Sequence, residues 1–306
     1  MTTPEKKPDP KRSDFRLMHP LRVRWAEIDL QKIVFNPHYL MYIDTAFTDY
    51  WRALAVPYES IPPLLGGDLY VKKSTVEYHG SARLDDRLDV GVRCVRIGNS
   101  SLLFEAGIFR SNELLVSAEL VYVFADPATQ TSTPVPDALR TLLTGFEAGE
   151  TMTETAVGSW AQLGAQAAPL RQTVFTDELG IPARIEQDAA DATALHAVIC
   201  NRLGQPVGTG RLLRDGDAHA RDHSRDHARI GRVAVTRALR GSGLGRDVIK
   251  ALMDAAAKRG DRQVSLHAQR NAEGFYTRLG FVVSGEPFEE AGIAHIEMSC
   301  ALVGSR

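Results

Sequence analysis

Apolar positions along this chain recur at two periods, and the points where the period changes outline the elements. Leu21, Val23 and Trp25 alternate with Arg22 and Arg24, the two-residue period of a strand with one buried face. Asn36-Pro37 interrupts it. From Tyr39 to Leu54 the spacing becomes three and four, so Tyr39, Ile43, Ala46, Phe47, Tyr50 and Leu54 share one helix face. Beyond Pro62-Pro63 and Gly66-Gly67 the period returns to two. Leu88, Val90, Val92 and Cys94 form one alternating set, Phe104, Ala106 and Ile108 a second, and Leu114 to Phe124 a third. Asp126-Pro127 stops the last run, and a short helix is predicted around Ala138 to Phe146. One long helix followed by consecutive antiparallel strands is an α+β arrangement with the helix packed on the sheet.

The second half reads as mixed α/β. Val207–Leu213 and Ile230–Val235 are predicted strands, and a Gly-rich loop leads from the second into a helix carrying Ile249, Leu252, Met253 and Ala256 at helical spacing. Val264–His267 is a short strand. A helix through Phe275-Tyr276 follows, capped by Gly280, with closing strands at Val282-Val283 and Ile293–Met298. Between these halves, residues 147–170 are rich in Gly, Ala, Thr, Gln and Glu and read as a linker. Residues 1–16 are polar and read as a disordered tail. The expected division is therefore a domain at 17–146 and another at 171–306.

Composition narrows the function classes. The chain has 306 residues, 44% of them hydrophobic, enough for two cores. Its formal net charge of −2 offers no global field for nucleic acid or membrane. The three cysteines, Cys94, Cys200 and Cys300, are far apart and suit a reducing compartment. No apolar run reaches the ~18 residues of a membrane span, and the amino-terminal residues lack a signal-peptide core. A cytoplasmic protein is expected.

Chemistry concentrates in two places. Arg240-Gly241-Ser242-Gly243-Leu244-Gly245 lies between a strand and a helix start. Such a loop makes either a tight turn or a cradle in which backbone N–H groups and the helix N-terminus meet a pyrophosphate, with Arg240 and Arg246 adding charge. Phe275-Tyr276-Thr277-Arg278-Leu279-Gly280-Phe281 follows about thirty residues later. Together the two segments resemble the pyrophosphate loop and the Phe-Tyr-x-x-x-Gly-Phe segment of GNAT acetyltransferases. Val174-Phe175, Glu178-x-Gly180, Asp188, His196, Gly210-Arg211, Ala268-Gln269 and Gly292–Met298 extend the resemblance to an ElaA-like subgroup over about 171–302. It implies acetyl transfer from acetyl-CoA to an amine. Val233, Val235, Arg240, Gly241, Gly243, Gly245, Arg246 and Gln269 would then bind the CoA, Gln269 standing where many members carry Asn. Tyr276 would protonate the leaving thiolate, and Glu178, His196 and His295 are the candidates for a base.

The second place is Trp25-Ala26-Glu27-Ile28-Asp29, followed by Ile33-Val34-Phe35-Asn36-Pro37-His38-Tyr39. Alone, Asp29 is a turn or cap residue or a carboxylate poised at a helix start, and Glu27 alternates onto the same side as an exposed group. With Ala82–Val90, Val121–Asp126 and Thr133–Pro136, the segment resembles hotdog-fold acyl-CoA thioesterases of the hydroxybenzoyl-CoA type over about 18–146. The resemblance implies an antiparallel sheet wrapped on a long helix, Asp29 as the catalytic carboxylate, and a homodimer or homotetramer. The family often carries Gly where Lys32 stands, so Lys32 would obstruct the acyl-CoA path or pair with Asp29.

The joint reading is a bifunctional enzyme acting on acyl-CoA and amine substrates. Its alternative is a GNAT acetyltransferase whose hotdog domain is a non-catalytic acyl-CoA-binding or dimerisation module. His219, His223 and His227 with Asp222 and Asp226 have a zinc-like spacing, yet the all-polar segment reads as a solvated insertion, and no metal is expected. Lys6, Lys7, Lys11 and Arg12 lack the aromatic partners of a nucleic-acid surface.

Overall fold

The computed structural model describes residues 8–186, 188–214, 227–290 and 292–302. The chain divides into two compact units, Met1–Met152 and Thr153–Arg306.

In the first unit, strands β1 (Leu17–Arg22), β2 (Asp68–Tyr78), β3 (Arg87–Ile97), β4 (Ser101–Arg110) and β5 (Glu113–Ala125) form an antiparallel sheet in the order β1-β3-β4-β5-β2. Helix α1 (Pro37–Ala53) packs on this sheet, followed by the short α2 (Ile61–Leu65) and by α3 (Asp137–Glu147) after the last strand. Tyr39, Ile43, Ala46, Phe47, Tyr50 and Leu54 are all buried, as the spacing required. Phe47 stacks on Tyr122 of β5 at 4.6 Å and meets Phe104 of β4 edge-on at 5.0 Å.

The sheet's other face explains why residues 8–16 depart from the expected disorder. Phe15 is buried against Gly91 and Gly107, where added Cβ atoms would come within 2.4 and 3.1 Å of its ring. Those two glycines hollow a seat on the sheet, and Phe15 fills it edge-on to Phe109 at 5.9 Å. Polar composition predicted a tail; one aromatic ring on a prepared surface orders its end.

The expected linker 147–170 is also structure. Residues 153–159 form β6 (Thr153–Ser159) and residues 160–171 form α4 (Trp160–Arg171), both in the second unit. Their composition misleads because β6 is an exposed edge strand and α4 is built of small residues that pack closely on the sheet. Pro169 removes a helical N–H, and the chain continues as a π-helical segment, Gln172–Glu178.

The second unit adds α5 (Ala183–Glu186), β7 (Leu195–Asn201), β8 (Pro206–Arg214), β9 (His227–Val235), α6 (Leu244–Arg259), β10 (Gln263–Gln269), α7 (Glu273–Thr277), β11 (Val282–Val283), β12 (Phe288–Glu290) and β13 (Ile293–Ala301). The sheet order is β11-β13-β10-β9-β8-β7-β6, with β12 beside β13. Among the described strands only β9 and β10 pair in parallel, through the crossover helix α6. No described helix is long and apolar enough to cross a membrane.

Candidate functional sites

The first unit's site begins where β1 ends. The expected strand through Trp25 stops at Arg22, and Trp25–Glu27 forms a 3-10 turn that leaves Trp25 82% exposed. The turn is closed by Glu27, which is 3% exposed rather than solvated. Its Oε2 accepts the Arg24 backbone N–H at 2.7 Å and the Tyr42 hydroxyl at 2.6 Å, while Oε1 accepts Arg24 Nε at 2.7 Å. Burial by itself would raise the Glu27 carboxyl, but these three donors outweigh it and hold the group below the ordinary range. Glu27 is thus a structural carboxylate that anchors the following loop.

Asp29 sits in that loop. Its Oδ1 accepts the Gln31 N–H at 2.7 Å, its backbone N–H donates to Ile33 O at 2.9 Å, and its carbonyl accepts from Lys32 N at 3.0 Å. Phe35 N–H donates to Glu27 O at 2.9 Å and Val34 N–H to Ala82 O at 2.9 Å, tying the loop to the start of α1. Lys32 adopts φ +63°, the left-handed region natural to glycine, which accounts physically for a Gly at this position. Among the described residues Lys32 makes no ion pair with Asp29, so of the two expectations for Lys32 the pairing is not realised.

The second unit's site lies where β9 and β10 separate. Their parallel register runs from Gln263↔His227 to Leu266↔Ile230 and then ends. The register between β8 and β9 shifts at Arg232, whose φ is +52°, and this bulge turns the remaining residues, including Val233 and Val235, away from β10. Beyond Val235 the chain makes a short turn and enters the loop before α6. Gly241 (φ +87°) and Gly243 (φ +98°) take conformations that side chains resist, and Gly243 opens α6 with no side-chain cap on its first N–H groups. Gly245 is the close-packing position, since a Cβ there would lie 3.4 Å from Phe275. Arg240 donates Nε to Val235 O at 3.1 Å and Nη2 to Glu178 Oε2 at 2.6 Å, while Arg246 pairs with Asp247 at 3.0 Å. The expected phosphate-loop arginine and one candidate base are therefore in direct contact.

Tyr276 packs between Phe275 (4.9 Å) and Phe281 (5.9 Å), and burial pushes its phenol up to about 12. Gln269 ends β10 directly opposite His295 of β13. His295 Nδ1 donates to Ile293 O at 2.8 Å, and its ring stacks on Phe288. His196 is fully buried against Trp160, with Nε2 held 3.0 Å from Asp191 O, and burial lowers its pKa so that it stays neutral. It belongs to the core, which removes it as a base.

Behind the site lies a charged network that polar residue types did not announce. Arg171 donates to Glu186, to Asp191 at 2.8 and 3.0 Å, and to Glu186 O at 2.9 Å. Arg211 bridges Asp188 (2.6 and 3.0 Å) and Asp191 (2.8 Å), and Arg232 reaches Asp188 at 3.2 Å. These contacts fix the segment after the π-helical turn against β8 and β9.

Residues 161–302 match the family described as the GNAT acetyltransferase domain, and residues 31–117 match the thioesterase superfamily. YjcF of Bacillus subtilis, an uncharacterized N-acetyltransferase, is 34% identical over 131 residues, covering 42% of this chain and 86% of that protein. YyaT of the same organism is 31% identical over 136 residues, covering 44% and 86%. The acyl-CoA thioester hydrolase YbgC of Shigella flexneri is 28% identical over 121 residues, covering 39% and 90%. The chain joins a thioesterase-superfamily hotdog domain to a GNAT acetyltransferase domain.

The GNAT match starts inside α4, consistent with a domain that begins ahead of the expected Arg171. His219, Asp222, His223 and Asp226 lie outside the described residues, and His227 opens β9. Sequence reasoning overlooked His267 of the GNAT domain. Its Nδ1 lies 3.1 Å from Glu290 Oε2, a partner 23 positions away that only the pairing of β12 with β13 brings near.

Proposed function

We propose that the chain is a bifunctional CoA-thioester enzyme, hydrolysing acyl-CoA at the hotdog domain and transferring acetyl from acetyl-CoA to an amine at the GNAT domain. The observation that carries the transferase reading is the parting of β9 and β10 after Leu266↔Ile230, next to the glycine loop that opens α6. Unpaired strand edges offer backbone groups to an extended amide-containing chain. The loop's N–H groups and the positive end of the 16-residue helix suit a pyrophosphate. In this reading Val233, Val235, Gly241, Gly243, Gly245, Arg246 and Gln269 contact the CoA, and Arg240 leaves Glu178 for phosphate. The raised phenol of Tyr276 stays protonated at neutral pH and acts as a hydrogen-bond donor to the developing thiolate.

In the hotdog domain, Asp29 attacks the thioester or activates water. Gln31 N–H occupies only Oδ1, which leaves Oδ2 for chemistry. Trp25 at 82% and Leu30 at 103% exposure flank Asp29 and are poorly suited to water. They support a homodimer in which a second copy covers this loop.

Purified chain assayed with a panel of acyl-CoAs tests the hydrolase, with Asp29→Asn as control; turnover that survives Asp29→Asn removes this residue. Binding without turnover in the wild type supports the non-catalytic module instead. Acetylation of a panel of primary amines tests the transferase. There Tyr276→Phe is expected to slow transfer about 10-fold or more while leaving acetyl-CoA binding intact.

A further inference from the structure

The parted strands leave one imidazole at the closed end of their fork. His267 is the first residue of β10 beyond the last pair with β9, Leu266↔Ile230. Positions two apart on a strand, and residues opposite each other in an antiparallel pair, share a face. His267 therefore lies on one face with Gln269, and with Glu297 and His295 across on β13. Leu266 and Ala268 point to the opposite, buried side. The imidazole packs edge-on against Phe288 at 4.7 Å, and Nδ1 faces Glu290 Oε2 at 3.1 Å. A carboxylate only accepts, so Nδ1 carries a proton, and Nε2 has no partner among the described residues.

We propose that His267 is the general base of the acetyl transfer and that Glu290 is its positioning residue; the proposal rests on the acetyl-transfer reading above. A thioester anchored at the glycine loop and laid along the unpaired edge of β9 runs back from Val235 toward Gly231. That direction ends at the closed end of the fork, beside His267. The other candidates are less well placed. Glu178 sits at the loop end of β9, on the Arg240 that bonds Val235 O, away from the closed end of the fork; His196 is enclosed in the core, and His295 lies one strand farther away, on β13. In the step itself, the neutral amine nitrogen attacks the thioester carbonyl carbon. The C–N bond forms, the C–S bond breaks, and the amine proton moves to His267 Nε2. The sulfur leaves as thiolate and takes one proton from solvent, to which His267 returns the amine's proton, so the step ends with a neutral imidazole, an amide and a thiol.

Two measurements on the full chain test this. Diethyl pyrocarbonate acylates the free nitrogen of a neutral imidazole, and mass spectrometry assigns the residue. A non-hydrolysable thioether analogue of acetyl-CoA is expected to slow modification of His267 by about tenfold or more. Equilibrium dialysis of the same samples separates the failures. Absence of any binding that Arg240→Gln weakens overturns the acetyl-transfer reading. Such binding without protection of His267 overturns the base assignment. With a panel of primary amines, His267→Gln is expected to lower kcat by about 100-fold or more, leaving KM for acetyl-CoA within about twofold. Glu290→Gln should lower kcat by a smaller factor with the same unchanged KM, and imidazole added to His267→Ala should restore part of the rate. A kcat for His267→Gln within about threefold of wild type sinks the proposal.

Discussion

Arg171 offers the sharpest test of how the GNAT domain is held together. Its side chain is 1% exposed and surrounded by acceptors: Glu186 at Nε, Asp191 at both Nη groups, and the Glu186 carbonyl. Replacing it with Met keeps much of the volume and removes every donor. Asp191 would keep Arg211 at 2.8 Å, but the Glu186 carboxylate, also 1% exposed, would keep no ion pair among the described residues, Arg232 reaching only its backbone carbonyl, and its Oε2 already lacks a partner. Removing one partner from a buried pair typically costs about 3–5 kcal/mol, because the remaining charge is stranded away from water. Against a domain stability of about 5–15 kcal/mol that is a large fraction. For a unit of this size it corresponds to a fall of roughly 6–20 °C in midpoint. Differential scanning calorimetry of the full chain reads the shift, and hydrogen exchange of β7, β8 and β9 peptides assigns it to this unit. The same logic expects Arg171→Met with Glu186→Leu to be more stable than Arg171→Met alone, since the stranded carboxylate is gone. A loss under about 1 kcal/mol, or a double variant no better than the single, would refute the reasoning.

Three further outcomes are expected. Phe15→Ala should destabilise the hotdog domain by about 3–5 kcal/mol, and Gly107→Ala by about 1–3 kcal/mol through the clash of its Cβ with Phe109 and Phe15, both readable by urea denaturation. Gly243→Ala forces a side chain into φ +98° at the start of α6 and should cost about 1 kcal/mol or more, with weakened acetyl-CoA binding by calorimetry. Acid should weaken the GNAT domain. Burial would raise the Asp188 and Asp191 carboxyls, but hydrogen bonds and charge from the arginines outweigh it and hold both below their ordinary values. Their contribution is then fully present above about pH 4, the unfolded value, and is lost as pH falls through the lower folded values. Midpoints measured between pH 2 and 6 should hold down to about pH 4 and decline below it, less steeply in Asp188→Asn.

The division between sequence and structure follows the range of the interactions. The α1 stripe, the alternating strands, the glycine loop before α6 and the Phe-Tyr segment were legible because each is a local pattern, set by a period or by backbone freedom over a few residues. The segment 147–170 hides its strand and helix because edge strands and small-residue helices carry little apolar contrast. Residue type predicts solvation for Glu27, whereas its burial depends on Arg24 and Tyr42 closing around it. The same holds for Arg171, Asp191 and Arg211, which look like surface residues until β8 and α4 bring them together. Arg240 meets Glu178 across 62 positions, and His267 meets Glu290 across 23. Sequence alone determined the helix stripe, the alternating strands and the position of the glycine loop before α6. Tertiary structure decided which charges are paired, buried or left free to act, because a charge's energy depends on neighbours and solvent that no local pattern records.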